Sequence, residues 1–206
     1  MIPTFTSILS TAKDLESLFG SVKYKLLNNP TEASVKLAEV LGELSLILEF
    51  VEKETVRYLE IYFLDDKSNF IQCRSALLSL ESGYVTIKGY EARGHCHKIT
   101  NIYEKYLDRW FSKVLDVNEA QQIKGLFEKM NTADGDMIEG IKEITRWLKD
   151  EAEAVLLLVD EEKLSEANEK IKSARLPIQQ TRREIVEALA ELKLLQASFI
   201  VSSQTV

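Results

Sequence analysis

The sequence predicts an all-α protein: an up-and-down bundle of about five to seven long helices, with no significant β-sheet, in one domain over residues 1–206. Apolar residues recur at the three-and-four spacing of a helical face through almost every segment. Only three prolines and eight glycines interrupt 206 residues. Apolar residues make up 45% of the chain, enough for a substantial core. Long helices joined by short turns favour antiparallel neighbours.

The first helix is predicted from about Thr6 to Leu27. It ends before Pro30, because a residue that precedes proline is pushed out of the α region. Thr31 is the predicted cap of a second helix that reaches Leu64. That helix carries two apolar stripes on different sides, so we expect other helices to surround it. The stripes are Leu37, Val40, Leu44, Ile47 and Val51, and Leu41, Leu48, Val56, Leu59 and Phe63.

A third helix is predicted from about Asn69 to Glu81, after a polar turn. The stretch between Gly83 and Gly89 is rich in β-branched residues, and we expect a loop or a distorted helix there because a lone strand has no partner. Helix resumes near Glu91 and runs to Leu115. Its predicted buried face is Ile99, Tyr103, Tyr106, Trp110 and Val114.

The C-terminal half begins with Asn118 and Gln121, which resemble a capping box at the start of a helix. Asp134 is the next predicted cap, and the helix after it continues, with an increasingly polar surface, to Arg175. Pro177 suits the first turn of the last helix. That helix is predicted to bury Ile185, Leu189, Leu192 and Phe199.

Charge and cysteine content narrow the class of protein. The chain has 33 acidic and 26 basic residues, a net charge of −7, which disfavours general affinity for nucleic acid or anionic lipid. The N-terminus lacks the features of a secretory signal. Cys73 and Cys96 are too few for a disulfide framework, so we expect a reducing compartment and a cytoplasmic protein.

The cluster around Cys96 holds both histidines and is the weak candidate for a metal site. Its possible ligands are Glu91, His95 and His97. On a helix, however, His95 and His97 lie about 200° apart, so they cannot chelate one ion together. The chain offers no second Cys/His pair, and we expect neither a metal nor another cofactor.

No motif points to catalysis, and none assigns the chain to a family. Glu-x-x-His pairs, the zincin pattern and the glycine patterns of nucleotide-binding loops are all missing. We therefore predict no catalytic residue. The basic residues around Pro177, among them Arg175 and Arg182, alternate with glutamates and read best as a solvated mixed-charge surface.

We expect a non-enzymatic interaction or regulatory protein that acts through helix surfaces, with a protein partner or a second copy of itself. The segment from Asp160 to Arg175 forms helix strongly but has few apolar positions, and isolated helices are marginal in water. Apolar residues close to the C-terminus are best explained by docking. The predicted partner-binding residues are Leu164, Ile171, Arg175, Arg182 and Phe199.

Two other hypotheses stay open. A membrane-active bundle would expose an amphipathic helix, either the first helix or the stretch Ala154–Val159. A ligand-binding or enzymatic bundle would use the aromatic residues near His95 as a pocket lining, although at helical spacing such residues are more often core. No small molecule can be named. These aromatic residues are Tyr103, Tyr106, Trp110 and Phe111.

Overall fold

The computed structural model describes residues 5–28, 31–62, 84–132 and 136–203, and within these ranges the chain is almost entirely helical. No strand occurs in the ranges described, which confirms the prediction of an all-α bundle. A π-helical turn, Tyr103–Leu107, joins the helix Tyr84–Ile102 to the helix Asp108–Val114. The helices are α1 (Phe5–Leu27), α2 (Glu32–Tyr62), α3 (Tyr84–Ile102), α4 (Asp108–Val114), α5 (Val117–Thr132), α6 (Asp136–Asp160) and α7 (Leu164–Ser203).

The start of α2 agrees with the sequence. The Ala33 N–H donates to Thr31 Oγ1 at 3.2 Å, and the Thr31 N–H donates to Ser34 Oγ at 3.1 Å. Both stripes of α2 are buried from Leu37 to Val51. The side chains of Leu59 and Phe63 lie outside the described residues, as do the predicted third helix (69–81) and the cap at Asp134.

The most extensive packing in the bundle joins α2 to α7. Gln196 Nε2 donates to the Ala38 carbonyl at 3.0 Å, and Arg182 Nε donates to Glu52 at 3.0 Å. Because residue numbers rise along α2 as they fall along α7, the two helices are antiparallel. Gly42 leaves room for the Gln196 side chain here, since a Cβ at that position would lie 2.7 Å from Gln196 Nε2.

Two predictions for the region after Gly83 are wrong. First, α3 begins at Tyr84 and includes Gly89, rather than starting near Glu91. The β-branched residues there lower helix propensity by only about half a kcal/mol each, which tertiary context overrides.

The second concerns the predicted buried face of the following segment. The Asp108 N–H bonds to the Tyr103 carbonyl five residues back, and this π turn contains one extra residue. The face therefore shifts by one position: Tyr106 is 41% exposed, whereas Leu107 is fully buried. Ile99, Tyr103 and Trp110 are buried as predicted, and Val114 is partly buried.

The cap of α5 lies two residues before the predicted one. Asp116 Oδ1 accepts hydrogen bonds from the N–H groups of Asn118 and Glu119, both at 3.0 Å. The Asp116 N–H donates in return to Glu119 Oε2 at 3.1 Å. The two carboxylates also interact favourably with the positive end of the helix dipole. The neutral amides of Asn118 and Gln121 would not provide this interaction.

The helix predicted from Asp134 to Arg175 is interrupted after Asp160. The Glu162 N–H bonds to the Val159 carbonyl at 3.0 Å and the Lys163 N–H bonds to the Leu158 carbonyl at 2.8 Å, the two bonds of a Schellman motif. Glu162 adopts a positive φ of 59° at the position that usually carries glycine. This turn reverses the chain, and Lys170 pairs with Glu151 across the resulting helical hairpin at 2.9 Å.

Pro177 lies inside α7 and does not begin a helix, so that prediction is also wrong. An interior proline removes one backbone hydrogen bond and costs roughly 3 kcal/mol. The adjacent turn offsets this cost because Ala174 and Ile178 are buried. The prediction for the inner face of the last helix is confirmed: its four named residues, Ile185, Leu189, Leu192 and Phe199, are all buried.

Candidate functional site

His95 faces Glu43 across the contact between α3 and α2. His95 Nδ1 lies 2.5 Å from Glu43 Oε2, and Lys98 Nζ donates to Glu43 Oε1 at 2.6 Å. Since an ionised carboxylate only accepts, His95 Nδ1 is the donor in this contact. Lys98 also lies 3.2 Å from Glu39, whose other oxygen accepts from Lys36 at 3.0 Å. The arrangement is a chain of ion pairs that links two helices.

The three weak metal-ligand candidates do not converge. Glu91 and His97 are exposed, while His95 is engaged with Glu43. Among the described residues, no group of three or more His, Cys, Asp or Glu side chains is arranged to hold a metal ion.

We expect this network to make the fold sensitive to acid. Burial raises the pKa of Glu43, but the hydrogen bonds from Lys98 and His95 outweigh it and hold that pKa below its ordinary value. The hydrogen bond from Lys36 likewise lowers the pKa of Glu39. A lowered carboxyl pKa adds stability above the unfolded value of about 4.3, and that stability is lost as pH falls through the folded pKa.

Urea unfolding followed by circular dichroism between about pH 6 and about pH 3 checks this expectation. Glu43→Gln should be less stable than the wild type at the upper pH and should lose less stability on acidification. Glu104→Gln, at an exposed position, should keep the wild-type pH dependence. Parallel loss of stability in the wild type and Glu43→Gln would show that ionisation of Glu43 is not coupled to folding.

Most of the predicted aromatic residues form part of the core rather than a pocket lining. The Tyr103 ring stacks on Phe127 with centroids 4.2 Å apart, and Phe127 meets Phe19 edge-on at 6.4 Å. The Trp110 and Phe111 rings extend this aromatic layer, with their centroids 5.4 Å apart. Phe19 and Phe127 were missed by the sequence argument, although Phe19 falls on the same helical stripe as Leu15 and Val22. Tyr106 instead lies at the surface, with Lys36 Nζ 5.2 Å from its ring centroid.

A shallow groove of about 270 Å³ lies beside this layer, between the π turn and α5. Within it the Tyr103 hydroxyl donates to Asp108 Oδ1 at 2.9 Å. Burial, followed by the interactions with Asp108, raises the pKa of Tyr103, so the hydroxyl stays protonated. The other charged groups in the described lining are Glu104, Lys124 and Glu128. None of these described lining residues is an activated nucleophile.

The predicted partner-binding residues do not share one surface. Phe199 is fully buried and Ile171 is 6% exposed, because the inner face of α7 lies in the core. The premise that this stripe needs an external cover is therefore wrong. Leu164 and Arg175 are partly buried, while Arg182 is exposed and pairs with Glu52.

The opposite side of α7 carries a second apolar stripe, which we call the outer face. Its four large side chains are strongly exposed: Leu176 is 71%, Val186 47%, Leu194 72% and Val201 65% exposed. Ala190 and Ala197 lie between them and are also exposed. With Gln179 and Arg183, these positions follow one another in steps of three or four and occupy an arc of about 80°.

The outer face has oppositely charged flanks. On the side next to α2 lie Arg182, paired with Glu52, and Lys193, paired with Glu49 at 2.7 Å. On the side next to α1 lie Glu187 and Glu191, and the neighbouring Glu184 pairs with Lys13 of α1 at 3.1 Å. The outer face is thus an apolar strip between a basic and an acidic edge. Helical periodicity does not single out this face, because the inner face of α7 carries larger apolar residues at the same spacing.

None of the helices that the structure describes has a stretch long and apolar enough to cross a membrane. Comparisons with family models, with curated proteins and with solved structures find no match to this chain.

Proposed function

We propose that this protein is a non-enzymatic interaction protein that binds a protein partner through the outer face of α7. The observation that carries the proposal is the row of four large apolar side chains, each about half exposed or more, at helical spacing from Leu176 to Val201. Single exposed apolar residues are ordinary, but six apolar positions on one arc of a helix, interrupted only by Gln179 and Arg183 and flanked by polar edges, are typical of a docking surface.

The rigidity of α7 favours binding at this strip. The inner face of the helix is held in the core at Ile185, Leu192 and Phe199, so the backbone beneath the outer face is already ordered. A partner that docks there has little conformational entropy to remove from α7. The strip is about 38 Å long at the rise of an α-helix, comparable to the helices that occupy grooves in recognition complexes.

The polar clusters of the described residues support the same class of function. Glu43 and Glu39 are both paired with Lys98, and the Tyr103 hydroxyl donates to Asp108. Groups engaged in this way stabilise contacts between helices and are not themselves poised for reaction.

Site-specific photo-crosslinking in the native cell tests this proposal. A photoreactive residue replaces Leu194 on the outer face, and the matched control replaces Leu157, a leucine of α6 that is 60% exposed away from it. We expect crosslinked protein at Leu194, strongly reduced when Val186 is changed to Lys, and little at Leu157.

Equal crosslinking at Leu194 and Leu157, or none at either, would contradict the proposal. Co-sedimentation with phosphatidylcholine vesicles that requires Val186 and Leu194 would assign the outer face to a membrane surface instead.

A further inference from the structure

We infer that the partner of the outer face is a second copy of this chain, with the two α7 helices side by side and parallel. This inference rests on the proposed function and names its occupant. Three properties of the strip lead to it: its spacing, its small residues and the charges along its edges.

The spacing is that of a helix-pairing seam. From Leu176 to Val201 the outer-face positions advance by three, four, three, four, four, three and four residues. Alternation of three and four aligns side chains for knobs-into-holes packing against another helix. The two successive steps of four, between Val186 and Leu194, correspond to a stutter, which relaxes the supercoil locally without breaking the seam.

The small residues fall where two helices need to come close. Ala190 and Ala197 alternate with larger side chains along the exposed strip, so facing helices can interdigitate large and small positions. Beside Val186 the surface forms a depression of about 450 Å³, and Gln179, Arg183 and Glu187 contribute to its described lining. Apart from Val186 its described lining is polar or charged, so the depression is suited to a polar side chain of the opposing helix.

The charged edges select both the partner and the orientation. When two identical helices pair in parallel, one edge of each helix faces the opposite edge of the other, so basic side chains meet acidic ones. In an antiparallel pair, like edges meet. With Arg183 in the seam, Arg182 of one copy is placed opposite Glu187 of the other. The two Arg183 side chains then face each other, which fixes the register at a cost in stability. Arg182 uses its Nε–H on Glu52, and because its side chain is half-exposed, its other N–H groups remain available to a further acceptor.

The size of the strip limits the strength of the pair. A single-helix seam of about 38 Å buries less surface than the roughly 800 Å² per partner of a standard stable interface. We therefore expect a reversible dimer with a Kd on the order of 10 µM rather than an obligate one.

Sedimentation velocity over a range of protein concentrations tests the dimer. The wild type should shift from monomer to dimer, Leu194→Lys should weaken dimerisation by about tenfold or more because it buries a charge in the seam, and Leu157→Lys should dimerise like the wild type. Circular dichroism should show unchanged helicity in both variants. Equal dimerisation of Leu194→Lys and the wild type would overturn the inference.

A charge exchange tests the parallel orientation. Arg182→Glu and Glu187→Arg should each weaken the dimer several-fold, whereas the double variant, or a mixture of the two single variants, should recover it. Absence of recovery in both experiments would exclude the parallel arrangement. If the wild type stays monomeric while Leu194 crosslinks to a different protein in the cell, the dimer fails and the proposed function stands; if the crosslink is also absent, both fail.

Discussion

Replacement of Phe199 by serine should lower the free energy of unfolding by about 3–5 kcal/mol, the range for removing a buried phenylalanine ring. The ring is fully buried between α7 and the rest of the bundle, so the variant loses its packing and also places a hydroxyl in an apolar site. Urea unfolding monitored by circular dichroism measures the loss.

Val201→Ser is the matched control, two residues further along the same helix. Val201 is 65% exposed on the outer face, and its replacement should change stability by no more than about 0.5 kcal/mol. Similar losses in the two variants would place Phe199 outside the core. This expectation reverses the one drawn from sequence, in which Phe199 is a partner-binding residue.

Replacement of Phe127 by alanine should lower the free energy of unfolding by a comparable amount, about 3–5 kcal/mol. Phe127 is 1% exposed and contacts two aromatic rings at once: Tyr103, stacked at 4.2 Å, and Phe19, edge-on at 6.4 Å. Its removal leaves a cavity at the point where α1, α5 and the π turn meet. The near-ultraviolet circular dichroism of Tyr103 should weaken as well, because the ring loses its fixed neighbour.

Val117→Ala provides the control within the same helix, since Val117 is 72% exposed at the start of α5. It should leave both stability and the near-ultraviolet spectrum almost unchanged. Phe127→Leu, which keeps much of the apolar volume, should lose less than Phe127→Ala. Retention of the tyrosine signal in Phe127→Ala would contradict the stacked arrangement.

Helical periodicity predicted the parts of this fold that depend on local spacing. The two stripes of α2 were correct from Leu37 to Val51, because a helix enclosed by neighbours must be apolar on more than one side. Periodicity failed where the α-helical geometry is interrupted. The π turn at Tyr103–Leu107 moved the buried face by one residue, and the turn around Glu162 has no glycine to mark it.

The candidate site was not predictable for a different reason. Periodicity predicted which face of α7 enters the core, but it could not show that the second apolar stripe on the opposite side stays uncovered. That depends on how the other helices are arranged around α7, for example on the contact with α2, where Gln196 donates to the Ala38 carbonyl. That contact depends on two segments far apart in the chain.

The pairing of α2 with α7 has a consequence for how the chain acquires its structure. The Gln196–Ala38 hydrogen bond joins residues 158 positions apart, and the helices that make it share the largest interface of the bundle. Contacts of such high contact order slow folding, because a long loop must close before they form. During synthesis α2 leaves the ribosome well before α7. Until α7 follows, the apolar stripes of α2 lack the helix that they pack against most extensively. The interval before α7 leaves the ribosome is therefore the period in which the nascent chain is most prone to aggregation.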